Sequence, residues 1–152
     1  MFKPHVTVAN LVHVKSKFLI VEEIVNNNLV WNQPAGHLKA DETIFAAASR
    51  ELYEETGLNA QPQQLIKIHQ WTAPDGYAFL RFLFLIELDE IPDTAPQDDD
   101  IHQCLWLTAD EILSSTCLRS PLVAESLRCF TGQKFFPLTL IEAYQFHTSK
   151  RD

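Results

Sequence analysis

Between Arg50 and Gly57 the chain reads RELYEETG, with glutamates at 51, 54 and 55. On a helix, residues three and four apart share a face, so Glu51 neighbours both Glu54 and Glu55. Like charges placed this way repel by roughly 0.2–0.5 kcal/mol per pair. A solvated helix face is the plain explanation for three acidic residues taken alone. The alternative is that a cation belongs among them. Carboxylates converging from one helix face are hard oxygen donors of the kind that hold Mg²⁺, which in turn bridges to phosphates.

The surrounding spacing favours the second explanation. From Gly36 the sequence follows the pattern G-x5-E-x7-R-E-U-x-E-E-x-G-U, where U is aliphatic. Gly36, Glu42, Arg50, Glu51, Leu52, Glu54, Glu55, Gly57 and Leu58 occupy the fixed positions. If a given residue type occurs at roughly one position in fifteen, a random match is rarer than about one in a million chains. Other candidates are softer. Arg81 lies within FLRFLF; a charge there is costly to bury unpaired, so it points from an open face or meets an anion. Trp31, Trp71, Tyr77 and Phe79 could stack a flat ring, with core packing as the simpler account of each. Asp98, Asp99 and Asp100 form an acidic triplet that reads as loop surface or as a source of a catalytic base.

The elements that must position these groups alternate in type. VTVANLVHV and KFLIVEEIV, broken at Lys15-Ser16, read as a hairpin, and Asn26-Asn27-Asn28 marks the next turn. A short strand and a loop follow. Ile44, Ala48 and Leu52 recur at spacing four, which predicts a helix over about 42–56 with Asp41 as N-cap and Gly57 as the C′ glycine. QLIKIHQWT and AFLRFLFLIEL read as strands around the Pro74-Asp75-Gly76 turn, and a short strand is expected over 104–107. Thr108 to Glu111 is a capping-box sequence, and Ser120-Pro121 supplies an N-cap and N1 proline for a helix over 122–130. Strands before, between and after helices indicate an α/β sandwich, and the hairpins exclude a purely parallel sheet.

Composition sets limits. The chain has 152 residues, 46% hydrophobic and 21% charged, which suits one globular domain. Its 20 acidic against 12 basic residues give a net charge of −8 with no basic run. That disfavours nucleic acid as partner and requires a cation between the protein and any phosphate compound. No apolar stretch has signal-peptide or membrane-spanning length, so a cytoplasmic protein is expected. Cys104, Cys117 and Cys129 lack C-x-x-C spacing; they read as buried free thiols, and a structural zinc site is not expected.

The nine-position pattern is the signature of the Nudix hydrolases, and the chain resembles that superfamily. The resemblance implies the Nudix fold, an α/β/α sandwich with a mixed β-sheet, over residues 3–131, with 132–152 as a C-terminal extension packed on or trailing the domain. It implies hydrolysis of phosphoanhydrides with Mg²⁺, or Mn²⁺ as substitute. The metal ligands would be Glu51, Glu54, Glu55 and the main-chain carbonyl of Gly36. Glu42 would support the metal shell or orient the helix start, and Arg50 would position a glutamate. The base that activates water would be Glu51, or one of Asp98, Asp99 and Asp100. His37, Arg81 and Trp71 are the candidate substrate contacts, with an exposed loop histidine as the other reading of His37. WNQPAGHL, HQWTAPDGYAFLRFLFLIEL and LRSPLVAESLRC further resemble the NudJ-type phosphatases, which are monomeric. Those enzymes release a terminal phosphate from nucleoside tri- and diphosphates, thiamin pyrophosphate and hydroxymethylpyrimidine pyrophosphate. Rivals are an ADP-ribose or nucleotide-sugar pyrophosphatase, suggested by the position of Pro74, and a pyrophosphohydrolase that clears damaged nucleotides. A non-catalytic nucleotide sensor fits poorly with an intact signature.

Overall fold

A computed structural model describes residues 1–144. Seven strands form one mixed sheet: β1 (His5–Val14), β2 (Lys17–Val25), β3 (Asn28–Asn32), β4 (Ala35–His37), β5 (Gln64–Thr72), β6 (Ala78–Glu87) and β7 (Ile101–Thr108). The order along the main path is β3-β2-β1-β6-β5, with β4 added to β1 and β7 to β2. Strand β1 runs parallel to β6, whereas the other pairings are antiparallel. The helices are α1 (Ile44–Thr56), α2 (Ala109–Leu113) and α3 (Pro121–Thr131), followed by a 3-10 turn at Leu138–Leu140.

Alternation along the central strands builds two cores. Val8, Phe84 and Leu65 pack with Ala47 and Ala48 of α1, while Val12, Leu19 and Ile86 pack with its Leu52. Ala9, Leu11, Ile20, Leu83 and Leu85 point the other way and pack with Ile112 of α2 and Val123 and Leu127 of α3. Successive side chains of a strand face opposite sides, so each central strand serves both layers. The result is the expected α/β/α sandwich. Arg81 shares the parity of Leu83 and Leu85 and therefore meets α3.

Several local expectations need correction. Helix α1 is capped by Thr43, whose Oγ1 accepts from the Ala46 amide at 3.0 Å. Asp41 instead turns the chain with φ of 61°, and Glu42 stays outside the helix. The loop at Pro34 to His37 contains β4, paired through Val8 and Gly36. Strand β7 begins three residues earlier than expected because its pairing with β2 extends to Ile101. Beyond Gly132, Phe136 exchanges backbone hydrogen bonds with Leu65, and Leu138 and Ile141 pack against the α1-side core. The rest of the expected extension, 145–152, lies outside the described residues.

Candidate active site

Arg50 is the centre of the acidic cluster. Its Nε donates to Glu42 Oε2 at 2.6 Å and its Nη2 to Glu42 Oε1 at 2.9 Å. Nη1 reaches Glu51 Oε2 at 2.8 Å and Glu54 Oε1 at 3.2 Å, and Nη2 also holds the His37 carbonyl at 3.0 Å. One planar guanidinium thus fixes three carboxylates and the end of β4, which a lysine could not do. Glu42 also accepts from the Lys39 amide at 2.9 Å, so it ties the approach loop to α1.

The three helix glutamates differ in environment. Glu54 is the most open, with its side chain 39% exposed, against 13% for Glu51. Glu55 is buried, and its Oε1 accepts from the Ala35 amide at 3.0 Å. Burial, then the nearby Glu23 charge, pushes its carboxyl up to about 9. Burial also raises Glu51, against the pull of Arg50. Gly36 makes this arrangement possible: a Cβ there would overlap the Glu51 carboxylate. These groups suit a hard divalent cation. The donor set of Glu51, Glu54, Glu55 and the Gly36 carbonyl is all oxygen. A cation would also relieve the cost of ionising Glu55 in a sheltered position.

The acidic triplet is brought to the far end of α1. Gln97 and Asp98 both donate their amides to the Glu54 carbonyl at 2.9 Å, and Ala95 donates to Thr56 at 2.8 Å. Gly57 has φ of 77°, and a Cβ on it would stand 2.5 Å from the Ala95 carbonyl oxygen. That glycine therefore ends the helix and admits the acidic loop. Asp98 is close enough to raise both Glu23 and Glu55, and Asp100 raises Glu23.

A cavity of about 680 Å³ opens from these groups. Gly36, His37, Lys39, Glu51 and Glu55 line one side, and Trp71, Phe79, Arg81 and Arg119 line another. Trp71 and Phe79 stack with ring centroids 5.8 Å apart and planes 20° apart. Burial, then His5, lowers the His37 imidazole and keeps it neutral at physiological pH. Arg81 is 6% exposed. Its guanidinium donates to Ser126 Oγ at 2.9 Å and to Gln33 Oε1 at 3.0 Å, both neutral. Burial lowers its pKa to about 10, so it remains charged at pH 7. Of the other aromatics, Trp31 packs on the α3-side core and donates Nε1 to Glu22, while Tyr77 is exposed beside His5; neither lines the cavity.

A family model for the NUDIX domain matches residues 1–128. The chain belongs to the Nudix family. It is 57% identical to Phosphatase NudJ of Escherichia coli K12 over 150 residues, covering 99% of this chain and 98% of that protein. Among solved structures, a NUDIX hydrolase from Nitrosomonas europaea superposes with a TM-score of 0.87 at 36% identity, covering 93% of this chain and 98% of that one. The NUDIX domain of Shewanella oneidensis NrtR complexed with ADP ribose gives 0.72 at 15% identity over 84% and 88%, which shows the fold alone. The chain is a Nudix hydrolase, an enzyme of phosphorus-containing anhydrides.

Sequence reasoning missed part of this Nudix cavity. Glu23 and Arg119 both line it, and Arg119 Nη1 bonds Glu23 Oε1 at 3.2 Å. Burial raises the Glu23 carboxyl. Asn32 and Ser120 line it too. The one local signal was a pair of adjacent glutamates within the strand KFLIVEEIV, where one of the two must face inward. Arg119 carried none, because 96 residues separate it from Glu23.

Proposed function

We propose that the chain is a Mg²⁺-dependent Nudix phosphatase releasing orthophosphate from nucleoside tri- and diphosphates, thiamin pyrophosphate and hydroxymethylpyrimidine pyrophosphate. It acts as a cytoplasmic monomer on small molecules. The observation that carries this reading is the continuity of one cavity from Glu51 and Glu55 of α1 to Arg81 and the Trp71–Phe79 pair. Its volume is within the range of small-molecule sites. The 57% identity to Phosphatase NudJ supports phosphatase action.

The chain's own groups divide the work. Glu51, Glu54, Glu55 and the Gly36 carbonyl hold Mg²⁺, with Mn²⁺ as substitute. When bound, the ion supplies Lewis acidity to the phosphate oxygens and to the attacking water. Arg50 keeps the glutamates in one arrangement before substrate arrives, so little reorganisation accompanies the reaction. Arg81, a buried cation bonded to the neutral Ser126 and Gln33, takes a phosphate oxygen, and His37 faces the phosphates from the end of β4. Trp71 offers its face to a pyrimidine, thiazole or purine ring. Glu51, or Asp98 from the loop docked on α1, accepts the proton of water.

Product analysis over a library of phosphate compounds tests this reading. Orthophosphate from thiamin pyrophosphate and nucleoside phosphates supports it. Pro74 also lines the cavity, so AMP plus ribose phosphate from ADP-ribose would replace it with the pyrophosphatase reading. Nucleotide binding without any product would mark a sensor.

A further inference from the structure

Across the sheet from α1, three metal-ligating side chains converge that the hydrolytic site does not use. His69 projects from β5, and Glu125 and Cys129 project from α3, where four-residue spacing puts them on one face. One ligand atom from each lies within 4.8 Å of the others, and all three residues are half-buried. Cys129 Sγ stands 3.8 Å from His69 Nε2 and 3.9 Å from Glu125 Oε2. A tetrahedral zinc with ordinary Zn–S, Zn–N and Zn–O bonds needs these separations to be about 3.5 Å. The two separations from the sulfur exceed this by a few tenths of an ångström.

We propose that His69, Glu125 and Cys129 form a zinc site, distinct from the hydrolytic centre, that clasps α3 to β5.

The donor set of imidazole nitrogen, thiolate sulfur and carboxylate oxygen is one that Zn²⁺ accepts, leaving a fourth position for water. Sulfur makes it unsuited to Mg²⁺, which takes oxygen. Nothing else employs these atoms well. His69 Nδ1 is buried without a hydrogen-bond partner among the described residues, and Nε2 makes only a weak contact with the thiol. A buried polar group left so poorly satisfied calls for a water or an ion. Glu125 gives Oε1 to Arg128 at 3.3 Å and turns Oε2 towards the sulfur. Burial raises the Cys129 thiol and lowers the His69 imidazole, so without metal both are neutral at pH 7. Binding would release the thiol proton to solvent, and the thiolate and carboxylate would neutralise Zn²⁺ beside Lys67 and Arg81. The paired-cysteine spacing of common zinc sites is absent because 60 residues separate His69 from Cys129. The clasp would also steady Ser126, the α3 hydroxyl that holds Arg81.

Co²⁺ titration of the full chain reads the site directly, since only a cysteine ligand gives a thiolate-to-cobalt charge-transfer band. The wild type should develop that band at one equivalent, and dialysed protein should carry about one zinc per chain. Cys129→Ser should abolish the band and reduce the retained zinc to about none. Glu125→Gln, a change of nearly the same shape at a half-buried side chain, should weaken zinc binding. Cys104→Ser, Cys117→Ser and Glu54→Gln should leave the band intact, the last separating this site from the all-oxygen centre. A wild type without the band, or a band that survives Cys129→Ser in folded protein, overturns the proposal.

Discussion

Replacing Glu55 with glutamine should make the metal-free protein more stable at neutral pH while destroying its activity. In the folded chain this carboxyl is pushed up to about 9 from an ordinary value of 4.5, by burial first and by Glu23 second. An acid with a raised folded pKa keeps its proton in the native state and loses it on unfolding. Stability therefore falls as pH rises from 4.5 towards 9, and below 4.5 the effect vanishes. At about pH 7.5 the gap of roughly three units corresponds to as much as ~4 kcal/mol. Glutamine carries no such penalty and can still accept from the Ala35 amide. Its own amide hydrogens would find no assured partner, at a cost of about 1–3 kcal/mol. The net gain should be about 1–3 kcal/mol, or roughly 2–12 °C in Tm for a chain of this size. Thermal unfolding of both proteins in EDTA between pH 4.5 and 9 measures it. The advantage of Glu55→Gln should grow with pH, and added Mg²⁺ should stabilise the wild type while leaving the variant unmoved. Two Tm curves that run parallel across the whole range would refute the reasoning, because the carboxyl would then not be strained by its surroundings.

Glu54→Gln should lower turnover by about two orders of magnitude or more with Tm nearly unchanged, since the side chain is partly open and its backbone carbonyl still anchors the acidic loop. Near-normal turnover would remove it from the metal site. Arg81→Met should cost about ten- to hundredfold in kcat/KM, the worth of a charge-assisted hydrogen bond of roughly 1.5–3 kcal/mol. The variant should still fold, because the partners lost among the described residues are the neutral Ser126 and Gln33; steady-state kinetics with circular dichroism decides it. For the base, pH–rate profiles of Glu51→Gln and Asp98→Asn should differ. The true base is the residue whose removal abolishes the rise of rate with pH on the acid limb.

Much of the site was legible before any fold was known. The signature spans only 23 residues, Gly36 to Leu58, and its geometry is local. A strand end, a capped turn and one helix suffice to bring Glu42, Arg50, Glu51, Glu54 and the His37 carbonyl together. Helical and strand periodicities likewise marked α1, β1, β2, β5 and β6, because one-sided burial writes its period into the sequence, and the Ser120-Pro121 cap marked α3. The cap expected at Asp41 lies instead at Thr43, whose hydroxyl accepts from the Ala46 amide three residues on.

What the fold alone decided depends on long-range pairing. Strand β4 exists only because β1 offers it an edge, and β7 extends only as far as β2 accompanies it. The parallel register of β1 and β6 sets Arg81 on the α3 side, where Ser126 and Gln33 receive it. Glu23 and Arg119 meet across 96 residues, and His69 meets Cys129 across 60. Above all, the sequence showed that Glu51, Glu54 and Glu55 share a helix face but not how differently that face is covered. Desolvation is a property of the assembled layers: Glu55 is buried against β4 with the Glu23 charge nearby, while Glu54 stays partly open to water.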